Sequence, residues 1–416
     1  MTASLDSATR AHGIAVFERR LITDAQPPIA DDVLAKIEAR CAGPVPDGLK
    51  ALWAICFGGT LDYCLSIDFD GEIDAFSFTE IFFPDSGHYN DLWEWIGHEA
   101  EMANEAAAES GAAFTGRLSF LPFGGFEYLC RLYVCVEPGP DHGAVYAWMQ
   151  GLPPAWTLRL NRDAFVRVAD DVPALFRLLD LERDPFSLRA NDFDSGTDMA
   201  AVVTALSNDD PALAEALTAL VREAVLDWRG AMERDDIATH PRLFRVALEH
   251  AASVGDIALM ERLIASGCDI NERLRGGGNM LDHALARGHV AAGQWLIDQG
   301  ASVENAVVNG ASQTPAEMVA DLLHRGARAT PLAAVAAARA DRMDSAVLIA
   351  DAMARNDPAG LRTVIDDLAM WAESAEATAK RIEAGQMRSN ISPGQYRDEG
   401  QRMRGLRNHC QALLEI

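Results

Sequence analysis

The sequence is poor in lysine, and arginine supplies 33 of its 36 basic side chains. Against these stand 62 aspartates and glutamates, which give the 416-residue chain a formal net charge of −26 at pH 7. Contacts with nucleic acid or with anionic membranes require a basic surface. The composition therefore argues against both kinds of partner and favours a basic protein partner.

Long hydrophobic runs are also absent, and the first twenty residues hold no apolar segment of signal-peptide length. The seven cysteines are scattered without a Cys-x-x-Cys pair, so we expect reduced thiols and no zinc site. We accordingly expect a cytoplasmic protein. Its length and its 49% hydrophobic content predict two or three domains with sizeable cores.

Residues 1–187 are predicted to form an α+β domain, an antiparallel sheet with helices, because helical and alternating patterns follow one another. Helical spacing covers residues 31–41, 48–57 and 92–107, and a further helix is predicted over 163–182. Asp70-Gly71 marks a hairpin between two alternating segments. Short strands are predicted over 119–123, 128–136, 143–149 and 156–160.

Within roughly residues 30–185, a set of segments follows in a characteristic order: Pro46 to Leu52, Gly58-Gly59, Leu121-Pro122-Phe123-Gly124, Leu132–Val136, Gly143–Trp148 and Phe165–Leu179. In these segments and their order, the region resembles the SUKH superfamily (Smi/Knr-type) of bacterial immunity proteins and fungal cell-wall regulators. The resemblance implies a domain that binds and neutralises a toxin domain, often a nuclease.

A repeat with a period of 33 residues follows a predicted linker at 188–198. The segments Leu248–Ile270 and Leu281–Val303 align so that Gly255 matches Gly288 and Gly267 matches Gly300. Such a period predicts stacked helix–turn–helix units, with glycine at the turns and at the helix ends.

These two units resemble ankyrin repeats. The matching positions are Leu281, Ala284, Gly288-His289, Leu296-Ile297 and Gly300-Ala301, and Leu248, Ala251, Gly255-Asp256, Leu263-Ile264 and Gly267. A shortened third repeat would end at Gly326-Ala327, and a degenerate fourth would begin at Thr330. We therefore predict an all-α ankyrin-like solenoid with an N-terminal helical cap over 199–360, followed by a cap of long C-terminal helices over 361–416.

No catalytic, cofactor or metal constellation is recognisable in the sequence, so an enzyme is not expected. The run from Asp68 to Asp74 does not have the glycine and glutamate positions of a calcium-binding EF-hand loop. His283 and His289 fall at repeat positions that predict structural roles. Neither a phosphate-binding glycine loop nor a nucleophile elbow occurs.

A stretch of 66 residues between Lys50 and Arg117 contains thirteen acidic residues and no lysine or arginine. One interpretation of this stretch is a solvated face over an aromatic core, which would serve solubility. Alternatively it is a docking surface for a cationic protein, because complementary charge speeds association and aromatic side chains anchor interfaces. The candidate contact residues are Asp68, Asp70, Glu72, Asp74, Glu80, Asp85, Trp93 and Trp95.

Two hypotheses of function follow. In the first, the protein is a non-catalytic immunity protein that neutralises a basic toxin domain, possibly a nuclease. In the second, it is an adaptor whose repeats bind a cellular protein, with the glycine-rich segment from Asn271 to Met280 as one contact, while the acidic stretch serves solubility or regulation.

Overall fold

The computed structural model describes residues 9–87, 89–151, 160, 162–187 and 195–415. The described residues form two compact units: unit 1 comprises those from 9 to 151 and from 160 to 227, and unit 2 comprises those from 228 to 415. Two segments predicted from the sequence, the linker at 188–198 and the strand at 156–160, lie mainly outside the described residues. Positions 188–194 of the predicted linker and 156–159 of the predicted strand lie outside the described residues.

Unit 1 contains ten described strands and six described α-helices, so the prediction of a region with sheet and helices is confirmed. The strands are β1 Ala15–Phe17, β2 Arg20–Ile22, β3 Gly59–Thr60, β4 Leu65–Phe69, β5 Glu72–Phe76, β6 Glu80–Ile81, β7 Phe120–Phe126, β8 Cys130–Cys135, β9 Val145–Met149 and β10 Ala164–Ala169. The helices are α1 Asp31–Glu38, α2 Asp47–Trp53, α3 Leu92–Glu109, α4 Val172–Leu178, α5 Thr197–Leu206 and α6 Pro211–Arg222, with a 3₁₀ turn at Pro185–Ser187.

The main sheet of unit 1 is antiparallel and has the strand order β10-β9-β8-β7-β6-β3. β4 and β5 form a separate hairpin, as do β1 and β2. Large aromatic side chains fill the core, where Phe78 meets the edges of Phe123 and Phe176 at 6.2 and 5.9 Å between ring centres. These rings are fully buried, so apolar burial is the main stabilising contribution here.

The helix predicted over 163–182 is wrong in its first half, which is strand β10. Residues 164–169 alternate between exposed and half-buried side chains, and β10 pairs with β9 in an antiparallel register. α4 begins only after Asp171, whose side chain accepts a hydrogen bond from the Ala174 amide at 2.6 Å. The capping aspartate and the following Pro173 explain why the helix starts there.

Helices α5 and α6 belong to unit 1, whereas the sequence places them from residue 199 as a cap on the repeats. Met199, Val203 and Leu217 lie in the same apolar cluster as the sheet core. Asp62, from the segment before β4, accepts hydrogen bonds from the Asp198 and Met199 amides at the start of α5. Helical periodicity predicts these helices correctly but does not say which core they join.

The described residues of unit 2 form helices joined by turns and loops, with no strand among them. Its α-helices are α7 Trp228–Glu233, α8 Pro241–Val254, α9 Ile257–Ala265, α10 Met280–Ala286, α11 Val290–Asp298, α12 Ala306–Gly310, α13 Ala316–His324, α14 Pro331–Arg339, α15 Met343–Asn356, α16 Pro358–Glu383 and α17 Pro393–Leu414, with a 3₁₀ turn at Ile237–Thr239. The two long C-terminal helices, α16 and α17, pack against each other along their length.

Four successive helix pairs, from α8 to α15, occupy the predicted repeat region. The first helices of neighbouring pairs contact one another, as α8 does with α10 and α10 with α12. Gly255 and Gly288 both adopt positive φ angles, 70° and 77°, at the turns between paired helices. α12 has only five residues, which accounts for the shortened third spacing. An extended solenoid stays a prediction.

Within the described part of the chain, no helix combines the length and the apolar character that crossing a bilayer would require.

Candidate protein-binding surface

The predicted contact residues of the β4–β5 hairpin do not all reach the surface. Asp68 and Asp70 are exposed, and the Gly71 amide donates to the Asp68 carboxylate within the hairpin turn. Asp74 is only 4% exposed and accepts a hydrogen bond from the Ala75 amide at 2.7 Å. Asp74 therefore has no place on a docking surface, while Glu72 is half-buried on the same strand.

The remaining predicted residues are distributed between β6 and the start of α3. Glu80 is half-buried and pairs through its backbone with Gly125, whereas Asp85 is exposed in the loop before α3. Trp93 and Trp95 are half-buried in the first turn of α3, which Asp91 caps through the Trp93 and Glu94 amides. Only some of the predicted residues can therefore meet a partner directly.

Trp95 packs against Arg131, a residue that lines a groove between α3 and the main sheet. Its ring stacks on Phe82 with 5.8 Å between ring centres, and its indole N–H donates to the Tyr89 carbonyl. On another side, the guanidinium carbon of Arg131 lies 4.5 Å from the centre of the Trp95 ring. This packing fixes the position of the indole, so Trp95 supports the groove and is not a free anchor.

Arg131 lies at the base of this groove and is only 8% exposed, which is unusual for an arginine. Its guanidinium is enclosed between two indoles, because Trp148 lies on its other side with the ring centre 4.1 Å away. Its Nε donates to the Tyr133 hydroxyl at 2.7 Å, and that hydroxyl donates to Glu99 Oε1 at 2.8 Å. Cation–π contacts and a nearby carboxylate compensate the charge.

Strand register aligns the groove residues. Arg131 on β8 lies opposite Trp148 on β9, and Trp148 lies opposite Phe165 on β10. The neighbouring row places Tyr133 opposite Tyr146, whose ring stacks on Phe165 with 5.1 Å between centres. This face of the sheet is therefore lined with aromatic side chains, while helix α3 forms the other side of the groove.

The groove encloses a cavity of about 500 Å³, within the size range typical of ligand pockets. Its other lining residues come from α3 and from the strand ends: His98, Glu99, Met102, Phe120, Tyr128, Gln150 and Asp163. Met102, Tyr128 and Phe165 are 40%, 52% and 44% exposed, although each is large and apolar or aromatic. Clustered exposure of this kind is typical of interaction sites.

Negative charge is concentrated in the part of the chain that carries this groove. Residues 1–227 contain 37 acidic and 15 basic side chains, a formal net charge of −22 out of −26. On α3, Glu94, Glu101, Glu105 and Glu109 are exposed, and they form no ion pair with any described residue. The surface around the groove is therefore strongly acidic.

The groove itself is not apparent from the sequence. Arg131, Tyr128 and Phe165 lie in segments that the sequence predicts only as a strand or a helix end. One signal was available, because an arginine in the middle of the apolar run from Leu129 to Val136 requires a partner. The identity of that partner depends on strand register, which the sequence does not reveal.

Unit 2 offers a second candidate surface, the segment between α9 and α10. Glu249 on α8 holds this segment, since its carboxylate accepts from the Arg275 amide at 2.8 Å and from the Arg275 guanidinium at 2.7 Å. Asn279 and Asp282 then form a reciprocal capping box at the start of α10. These contacts order the glycine-rich segment that was predicted as an adaptor contact.

Burial shifts the pKa values of two side chains in α10, Asp282 and His283. Desolvation raises the pKa of Asp282 to about 6, and it lowers the pKa of His283. His283 lies within α10, whereas His289 immediately precedes α11 and contacts the Ser253 carbonyl at 2.8 Å. Throughout the described segments, no group of three or more His, Cys, Asp or Glu side chains is arranged to hold a metal ion.

The ankyrin family model, described as ankyrin repeats (many copies), matches residues 248–297. The match covers the first regular repeat and most of the second, and it confirms the ankyrin prediction there. It indicates a role in protein–protein interaction. It does not extend to residues 30–185, where the SUKH resemblance stays a prediction.

Proposed function

We propose that this protein is a non-catalytic protein-binding protein whose first unit binds a basic protein. The supporting observation is that exposed, unpaired acidic side chains lie on α3, the helix that also lines an open aromatic groove, within the half of the chain that carries most of the charge. Long-range attraction would steer a cationic partner to this surface, and the aromatic side chains would supply buried contact area.

The function that we favour is inhibition of a basic toxin domain, possibly a nuclease. A nuclease needs a basic surface to hold nucleic acid, and an acidic protein can occupy that surface without any chemistry of its own. The resemblance of residues 30–185 to SUKH immunity proteins supports this assignment. Neither cofactor nor metal has a part in it.

A second function, that of an adaptor, is favoured by the ankyrin match at residues 248–297. In that case the partner would contact the segment from Asn271 to Met280 and the adjoining helix ends. The acidic surface of unit 1 would then act through solubility or regulation. The two functions differ in which unit loses partner binding when its surface is altered.

Charge reversal in the full chain distinguishes the two functions. One variant carries Asp68→Lys, Asp70→Lys and Asp85→Lys, all at exposed positions of unit 1. A matched control carries Glu261→Lys, Asp344→Lys and Glu373→Lys, which make the same charge change at exposed positions of unit 2. A repeat variant carries Arg273→Glu and Arg287→Glu.

Each bait is immobilised and exposed to lysate of the source organism at ~0.15 M salt, and retained proteins are purified for kinetic and activity assays. Inhibition predicts a basic partner whose association with the unit 1 variant is about tenfold slower, while the matched control binds normally. The purified partner should also lose nuclease or other toxic activity when mixed with the wild-type chain. Loss of binding only in the repeat variant would instead establish the adaptor function.

A further inference from the structure

The groove between α3 and the sheet stands out among the surfaces of unit 1 because apolar exposure is concentrated there. Five large hydrophobic side chains in the described part of unit 1 are exposed; three of them line this cavity, and a fourth, Tyr89, contacts one of these three, Tyr128. The three are Met102, Tyr128 and Phe165, while Leu178 on α4 is the fifth. Such exposure costs stability unless a partner covers it.

Arg131 is not placed to bind an anion. Indole rings cover both faces of its guanidinium, and its Nε and one terminal nitrogen donate to the Tyr133 hydroxyl and the Tyr128 carbonyl. Its charge is compensated by Glu99, with 3.4 Å between the nearest nitrogen and oxygen. The base of the cavity is therefore close to neutral.

The rim of the cavity is acidic. Asp163 accepts the Gly151 amide at 2.8 Å and has no ion-pair partner in the described residues. Glu101 and Glu105 on α3 have exposed side chains, and neither has a cationic partner among the described residues. Exposed aromatic rings next to unpaired carboxylates provide the two kinds of contact that a guanidinium makes, stacking on a ring face and pairing with a carboxylate.

We propose that this cavity is the specificity pocket for an arginine side chain on the basic partner. The assignment rests on the proposed binding of a basic protein by unit 1, and it names the residue type that such a partner inserts. Arginine fits better than lysine because its planar group stacks on Phe165 or Tyr128 while its N–H groups reach Asp163. Binding should therefore depend on the guanidinium and on the groove walls, beyond net charge.

Short fluorescent peptides test this on the full chain. The probe is acetyl-Gly-Arg-Gly-Arg-Gly-amide with a fluorophore, and its control has citrulline, a neutral isostere, at both arginines. Binding is followed by fluorescence anisotropy at ~0.15 M salt. We expect the arginine peptide to bind at least about fivefold more tightly than the citrulline peptide, and more tightly than a lysine peptide of equal charge.

Two pairs of variants locate the binding. Met102→Arg places a cation at the rim of the groove, and Met370→Arg makes the same change at an exposed position of unit 2. Phe165→Ala removes a groove wall, and Leu178→Ala removes an exposed side chain of unit 1 outside the groove. The groove variants should each weaken arginine-peptide binding at least about fivefold, and their controls less than about twofold.

The outcomes separate the pocket from the proposed function. Equal affinity for arginine and citrulline peptides, or no binding up to about 5 mM peptide, overturns the pocket. Equal weakening by Met102→Arg and Met370→Arg would show a general charge effect and would also overturn it. Capture of a basic partner that depends on Asp68, Asp70 and Asp85 would leave the proposed function intact in either case.

Discussion

Arg131 and Trp148 lie directly opposite each other on β8 and β9, with 4.1 Å between the guanidinium carbon and the indole centre. Trp95 of α3 covers the other face of the same guanidinium. The contact therefore joins the helix to the outer face of the sheet through one charged side chain.

Replacing Arg131 with methionine should lower the free energy of unfolding by about 3 kcal/mol. The substitution keeps an apolar chain between the indoles but leaves Glu99 and the Tyr133 hydroxyl without their cation, and broken buried pairs have this magnitude. Urea denaturation measures the change. Arg117→Met is the control, because Arg117 is exposed and its loss should cost below about 0.5 kcal/mol. Equal effects of the two substitutions would contradict a structural role for the guanidinium.

Glu249→Gln should loosen the segment between α9 and α10 without unfolding unit 2. The Glu249 carboxylate makes three contacts with Arg275, two of them with its guanidinium, and only 11% of its side chain is exposed. We expect a loss of about 2 kcal/mol and faster amide hydrogen exchange over residues 271–278.

Glu272→Gln is the matched control for that change. Glu272 lies in the same segment and contacts Arg245 at 3.6 Å, but its side chain is 42% exposed. A pair of this kind contributes about 0–1 kcal/mol, so exchange in the segment should remain close to that of the wild type. If both substitutions accelerate exchange equally, Glu249 has no special part in ordering the segment.

Asp282 should make unit 2 less stable as the pH rises from about 4 to 6. Burial raises the pKa of its carboxyl to about 6 in the folded state, so the folded protein holds this proton more tightly than the unfolded chain. The resulting stabilisation is fully present below about pH 4 and is lost as the pH passes through about 6.

Asp282→Asn tests this, because asparagine can keep the capping acceptor while remaining neutral. Between pH 4 and 7, the free energy of unfolding of the variant should rise by about 2–3 kcal/mol relative to wild type. Asp256→Asn makes the same chemical change at the exposed cap of α9 and serves as the control for the substitution itself. Parallel curves for Asp282→Asn would show that its proton is not held more tightly on folding.

The helix pairs of unit 2 were predictable because their signals are local. The 33-residue spacing repeats the apolar positions together with the turn glycines, and each pair forms from neighbouring residues. The assignment of Met199 and Val203 to unit 1 was not predictable, since an amphipathic helix presents the same pattern to either core. Contacts with residues distant in the sequence determine which core the helix joins, and the helix's own sequence does not reveal them.

For the groove, too, the local features were predictable from the sequence and the tertiary contacts were not. The acidic character of residues 51–116 is plain in the sequence, and Asp68, Asp70 and Asp85 are exposed as a docking surface requires. Asp74 is not exposed, because it lies on the same face of β5 as Phe76, which is buried in the core. The row from Arg131 through Trp148 to Phe165 depends on the register of three strands, which is set by the whole sheet.

Two glycines of the repeats should respond differently to alanine, although both lie at positive φ. Gly255 has φ 70° and Gly300 has φ 92°, so either substitution forces alanine into a conformation that costs about 1–2 kcal/mol. At Gly255 the added Cβ would also lie 2.8 Å from Cγ of His289, whose ring contacts the Ser253 carbonyl. At Gly300 the added Cβ meets no other atom within 4 Å.

We therefore expect Gly255→Ala to lower the free energy of unfolding by roughly 1–2 kcal/mol more than Gly300→Ala does. Thermal denaturation should accordingly show a lower melting temperature for Gly255→Ala. The double variant Gly255→Ala with His289→Ala should recover part of this difference, because it removes the ring that the new methyl group would strike. Equal destabilisation by the two single substitutions would mean that the close approach of Gly255 and His289 does not constrain how the first two helix pairs pack.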